Sequence, residues 1–135
     1  MRRLLSAKYS AGAFNTAMLL LRIVSGGIML HHGFGKLKNF EGTAANMMNF
    51  MGIGQTASAA LIVFAEFFCA ILVIVGLLTR LACIPLIVTM AVALFMANNG
   101  DFFGKGELAA LYLVCFIVLL LAGPGRISAD SLISK

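Results

Sequence analysis

Leu81-Ala82-Cys83-Ile84-Pro85-Leu86-Ile87-Val88-Thr89-Met90-Ala91-Val92-Ala93-Leu94-Phe95-Met96-Ala97-Asn98-Asn99-Gly100 runs for 20 residues without a charge. A helix crosses the hydrocarbon core of a bilayer with about 20 mostly apolar residues, so this stretch alone predicts a transmembrane helix. It has company on both sides. Leu108 to Gly125 is a second uncharged run, of 18 residues. Between Lys8 and Lys36 the only charge is Arg22, and between Glu41 and Arg80 it is Glu66. We read four spans, about 13–35, 57–78, 81–97 and 108–122, within one domain covering residues 1–135. Lipid offers backbone N–H and C=O groups no partner, so the spans must be helices. Strict alternation of apolar and polar residues is absent, which argues against a barrel.

Composition agrees with the spans. Apolar residues make up 61% of the 135-residue chain and charged residues 11%, against roughly 45–50% and about 25% in soluble domains. So small a soluble domain needs charge to cover its surface, and ten Lys/Arg with five Asp/Glu cannot supply it. Disorder is excluded by the hydrophobicity, and a disulfide framework by three scattered cysteines without a C-x-x-C. The first span is not a cleaved signal peptide: its apolar run is too long, Arg22 interrupts it, and no small-x-small site follows.

Four spans put both termini on one side of the bilayer. That side carries Arg2, Arg3, Lys8, Arg80, Arg126 and Lys135, and the other carries Lys36, Lys38 and Lys105. The excess predicts cytoplasmic termini in an inner membrane. The basic balance is therefore topology; no nucleic-acid motif or basic patch interleaved with aromatics is present. Leu78-Thr79-Arg80 reads as a tight turn, making the second and third spans an antiparallel hairpin, with Thr79 as a helix cap and Arg80 at headgroup level. Asn98 to Gly106 reads as a polar loop. Leu37 to Thr56 is the long connection, and Thr43–Met51 within it predicts a short half-helix lying at the outer interface. The expected fold is thus an all-α, four-helix integral membrane bundle with that half-helix between helices one and two.

Inside such a bundle the informative residues are the polar ones, since a charge at the bilayer centre costs roughly 2.5–3.5 kcal/mol on insertion scales. Arg22 and Glu66 fall at similar reckoned depths on antiparallel spans. They either pair, or Arg22 snorkels to headgroups while Glu66 sits protonated in a helix contact. On the first span Arg22, Met29, His32, Gly33 and Lys36 share an arc of roughly 100°, from which His31 points away. That stripe is either a protonatable site, with Arg22, His32, Lys36 and Glu66 as its ligand-binding candidates, or an interfacial cluster for lipid phosphate. Cys69, three residues after Glu66, is a secondary candidate for the same cavity, although apolar surroundings favour plain packing. Asn98 and Glu107 are further secondary candidates at the outer mouth; Glu107 also suits a helix N-terminus. Gly26, Gly27, Gly33 and Gly35 in the first span and Gly76 in the second read as close-approach positions. Adjacent histidines cannot both face one ion from a regular helix, so no metal site is expected. Gly123-Pro124-Gly125 ends the fourth span, and Ser128 reads as the cap of a short terminal helix reaching Ile133.

Taken in order, Leu21-Arg22-Ile23 with Gly26, His32-Gly33-Phe34-Gly35-Lys36-Leu37, Glu66, Gly76-Leu77-Leu78-Thr79-Arg80-Leu81-Ala82, Glu107 and Gly123-Pro124-Gly125-Arg126-Ile127-Ser128-Ala129-Asp130 resemble the DoxX family of small four-helix membrane proteins. Ala129 stands where the family pattern often has Leu. The resemblance implies association with terminal oxidase, thiosulfate:quinone oxidoreductase or thiol and oxidative-stress complexes. No haem, flavin or iron–sulfur signature accompanies it. It implies a membrane subunit that is not catalytic alone, with other membrane redox proteins as partners or a homo-oligomeric state. A quinone would be the cofactor or ligand: Arg22 or Lys36 would polarise its carbonyl, His32 relay a proton, and Glu66 hold Arg22. The alternatives are a non-catalytic scaffold subunit of a larger membrane complex and a small transporter, in which Arg22 and Glu66 would line a solute path through a dimer. A broken midplane helix would favour the latter, and Pro85, near the inner end of the third span, is the only proline inside a span.

Overall fold

A computed structural model describes residues 2–46 and 50–133 of the chain. Its frame is four apolar helices: Ala11–Lys38, Gln55–Val75, Thr79–Met96 and Glu107–Ala122. The first three are long and apolar enough to cross a membrane, and the fourth is a shorter apolar helix of 16 residues. No strand occurs among the described residues. The first helix lies along the second, the second along the third, the third along the fourth, and the fourth returns to the first. One end of the bundle gathers both chain ends and the turn at residues 76–78; the other gathers the two longer connections. We call these the terminal end and the loop end.

Local chemistry sets the helix boundaries. Ser10 caps the first helix, its hydroxyl accepting from Ala13 N–H at 3.1 Å. The second helix closes in a Schellman motif: Leu77 N–H donates to Leu72 C=O at 2.9 Å and Gly76 N–H to Val73 C=O at 3.1 Å. That closure places Gly76 at φ +79°, a left-handed conformation that favours glycine. Leu78 follows at φ 50° and the third helix starts at once, so the hairpin is as tight as the sequence predicts. Glu107 opens the fourth helix and Gly123, at φ 86°, ends it. The observed helices begin one to two residues before the expected spans, and the first runs three residues longer.

Two stretches are wound more widely than an α-helix. Phe64–Cys69 and Ala93–Ala97 form π-helical turns in the second and third helices. Such turns often mark functional sites, because they re-aim side chains.

The first connection holds a short helix, Phe40–Ala45, and a tight turn, Phe50–Gly52. The expected half-helix over Thr43–Met51 falls partly on residues 47–49, which lie outside the described residues. What is described of it begins earlier and is shorter.

Leu86, Leu119, Phe116, Val73 and Cys83 are fully buried between the helices, together with Met29. Large apolar side chains also cover the outside: Leu20, Val24, Leu61, Phe68, Leu81, Leu111 and Leu121 are exposed. Helices that are apolar all round belong in a bilayer, where the outward face meets lipid.

Candidate functional site

The register of the first two helices decides what the polar residues meet. A Cβ on Gly33 would stand 2.5 Å from the Glu66 carbonyl carbon and oxygen, and one on Gly26 3.2 Å from the Ala70 carbonyl oxygen. The two backbones therefore touch, and Gly33 sits level with Glu66. Arg22, eleven residues earlier, is about 16 Å further toward the terminal end.

The expected Arg22–Glu66 pair is accordingly absent. Glu66 instead accepts from Lys36, one helical turn beyond Gly33, with Nζ–Oε2 at 2.6 Å. Reckoning depth from the ends of the apolar runs failed because the first helix projects past the hairpin at the terminal end. Among the described residues Lys36–Glu66 is the one ion pair. Glu66 is 4% exposed, so an unpaired carboxylate there would be costly. The glycine contact lets the long Lys36 side chain reach it from the neighbouring helix.

A cavity of about 190 Å³ opens beside this pair at the loop end. Its polar lining is His32, Lys36, Glu66, Asn98, Lys105 and Tyr112, and its apolar lining includes Met29, Met90 and Leu108. All four long helices contribute. Glu66 belongs to one π-helical turn, and Ala93, also in the lining, to the other. His32 is exposed at the rim. Asn98 is anchored by its side-chain N–H donating to Ala93 C=O at 2.7 Å.

Three expected site members fall elsewhere. Cys69 is packed in the apolar core and does not line the cavity, because it faces the third helix. Glu107 is exposed at the start of the fourth helix and is not in the lining. Arg22 forms a separate cluster at the terminal end.

That cluster is built by the chain's last residues. Arg22 is 1% exposed, and its Nη2 donates to Ile127 C=O at 2.6 Å. Its Nε and Nη1 have no hydrogen-bond partner among the described residues. The segment carrying Ile127 is pinned at both sides. Arg126 N–H donates to the Asn15 side-chain oxygen at 3.0 Å, and Asp130 N–H to Gly76 C=O at 2.8 Å. Ser128 caps the terminal helix Ala129–Ile133 through Ser131 N–H at 3.2 Å.

Asp130 then does what Thr79 was expected to do. Its carboxylate accepts from Leu78 N–H at 2.6 Å and Thr79 N–H at 2.9 Å, capping the third helix from fifty residues away. Burial opposes its ionisation. The two N–H donors, with the nearby Arg22 guanidinium, outweigh that and hold its pKa below the ordinary carboxylate value. A depressed folded pKa contributes stability that is present above the unfolded value, about 3.9, and is lost as pH falls through the folded one. The thermal midpoint of the protein in detergent, followed by circular dichroism, should therefore fall below about pH 4. Asp130→Asn should start lower at neutral pH and respond less to acid. An equally steep acid response in that variant would contradict the cap's role.

Besides Lys105, a loop residue read only for its charge, Tyr112 is the polar cavity residue that sequence reading missed. It sits in a run of apolar residues, and its only sequence signal is a hydroxyl inside an otherwise apolar span. No His, Cys, Asp and Glu cluster among the described residues is placed to hold a metal ion.

Four apolar helices, an internal ion pair and a lipid-facing exterior define a multi-pass helical membrane protein. The chain belongs to the DoxX family, whose family model matches residues 17–99. It is 30% identical over 125 residues to the Bacillus subtilis (strain 168) protein described as "Putative oxidoreductase CatD", covering 91% of both chains. It is 32% identical over 121 residues to an uncharacterized Haemophilus influenzae protein, covering 84% of this chain and 88% of that one. It is also 30% identical over 135 residues to an uncharacterized membrane protein of Mycobacterium tuberculosis, covering 88% of this chain and 82% of that one. No solved structure matches the chain.

Proposed function

We propose that the chain is the membrane subunit of an oxidoreductase system and that its loop-end cavity binds a quinone or a similar redox-active ring. The observation that carries this reading is the cavity itself: an ion pair, a histidine and a phenol converge beside apolar side chains in space of about 190 Å³. An apolar cavity of about 150 Å³ is enough for benzene, so a substituted ring fits this volume. The oxidoreductase name of the Bacillus subtilis relative supports the redox context.

In this reading the protein makes four crossings of a bacterial inner membrane with its termini in the cytoplasm. The six-to-three distribution of Lys and Arg supports that orientation. The fourth helix, about 24 Å long, crosses by local thinning of the bilayer. Lys36 Nζ donates to one ring carbonyl while Glu66 holds it in place. His32, at the rim, exchanges protons with water. Two electrons arrive from a redox group carried by a partner protein, and two protons complete the quinol.

The test is calorimetric titration of the purified protein with menadione. The wild type should bind saturably. Lys36→Met combined with Glu66→Gln removes both charges together and leaves no unpaired carboxylate. It should weaken binding about 10-fold or more, the worth of one charged hydrogen bond. Leu121→Ala, at a 75% exposed lipid-facing position, should bind as wild type does. Undiminished binding by the double variant overturns the reading.

A further inference from the structure

Tyr112 is a largely buried residue whose phenol hydroxyl stays open to the cavity and makes no hydrogen bond to any described residue, whereas every other polar group of the lining is either paired or at the rim. It is 7% exposed and lines the same space as Lys36 and Glu66. Its hydroxyl makes no hydrogen bond among the described residues, and it is not sealed off from the cavity. A ligand that fills the cavity shuts this hydroxyl off from water, and leaving it without a partner there costs about 1–3 kcal/mol. The cavity is where that partner can come from.

The ring is held firmly. Tyr112 stacks on Phe116, with centroids 6.2 Å apart and planes 14° from parallel, and Phe116 is fully buried. The hydroxyl is therefore a fixed feature of the fourth helix, and Lys36 Nζ is fixed on the first by Glu66. Two hydrogen-bond donors borne by different helices thus face one cavity between apolar walls.

From this juxtaposition we infer that Tyr112 is a specificity-determining residue of the cavity, whose ligand class is rings bearing two strong acceptor oxygens. One oxygen accepts from Lys36 and the other from Tyr112. The inference rests on the ring-binding reading given above and deepens it. A ring with weak acceptors fills the same volume but leaves the phenol unsatisfied, and this penalty for an unmade bond is the source of discrimination.

The experiment compares menadione with 1,4-dimethoxy-2-methylnaphthalene, which keeps the ring system and replaces both carbonyls by weakly accepting ethers. Wild type and Tyr112→Phe are titrated with both. Phe keeps the stack on Phe116, so the variant folds; an unchanged thermal midpoint checks this. The wild type should prefer the quinone, and Tyr112→Phe should lower that preference about 3- to 10-fold, with most of the change in quinone affinity. A structural role alone would weaken both ligands equally and leave their ratio unmoved. Quinone binding by the wild type with an unchanged ratio in Tyr112→Phe overturns this inference alone. Absence of quinone binding by the wild type overturns the ring-binding reading and this inference with it.

Discussion

Gly33→Ala is expected to destabilise the bundle by about 1–3 kcal/mol, the usual cost of overpacking a tight contact. A methyl group at this position would meet Glu66 carbonyl atoms at 2.5 Å and Phe67 N at 2.7 Å. These are backbone atoms of a helix and cannot swing aside as a side chain can, so the first and second helices must separate. The separation falls one turn from Lys36 and so also draws its ammonium away from Glu66. Gly27 and Gly35, which the sequence also offered as close-approach positions, make no such contact, because they face away from the second helix; a methyl group at either meets nothing within 4 Å, and they are the internal controls. Alanine is the better helix former by about 0.8–1 kcal/mol, so Gly27→Ala should be neutral or stabilising. Thermal unfolding in detergent, read by circular dichroism, separates the three variants. Gly33→Ala melting with Gly27→Ala would mean that the close approach is not what sets the register.

Arg22→Ala should release the C-terminal segment while leaving the loop-end cavity intact. The guanidinium donates to Ile127 C=O, and Asp130, beside it, carries the cap of the third helix. Losing a charged hydrogen bond of about 1.5–3 kcal/mol should raise the population of the locally opened segment about 10- to 100-fold. Arg126 side chain is already exposed, but its backbone is held by Asn15. Trypsin cleavage after Arg126 should therefore accelerate by a comparable factor in Arg22→Ala. Gly76→Ala should act in the same direction by another route. A methyl group there would overlap Arg22 Nη1 and stand 2.5 Å from Ser128 Cβ, on a backbone at φ +79°. Unchanged cleavage in both variants would show that the segment is held by something other than the buried guanidinium.

The apolar helices were legible because lipid imposes one demand, length without charge, along a whole stretch of chain. Residues 81–100 satisfy it without help from any other part of the molecule. Pairing across helices is a different matter. Arg22, His32 and Lys36 lie on one stripe of the first helix, and any of them could have met Glu66. The choice among them depends on axial register, which Gly26 and Gly33 set; the sequence offers the glycines as close-approach positions but does not say which backbone atoms they meet. A reading by depth selected Arg22, whereas the fold selects Lys36. His32 and Asn98 do reach the cavity with Lys36 and Glu66. Cys69 does not, because a three-residue step from Glu66 across a π-helical turn carries it into the core. Asp130 lies in the first turn of the five-residue terminal helix, and its partners, Leu78 and Thr79, lie far back in the chain, where no local pattern points to them.

That long-range cap orders the events of biosynthesis. The amides that open the third helix enter the bilayer region while the residue that satisfies them is still untranslated. For the time needed to add some fifty amino acids, those N–H groups depend on water or headgroups. Only when Asp130 emerges and Arg22 fastens the preceding carbonyl does the bundle acquire its final lock. Residues 127–130 therefore decide when the bundle is fastened, and a stop between residues 123 and 129 leaves a protein with its four helices made but its clasp open.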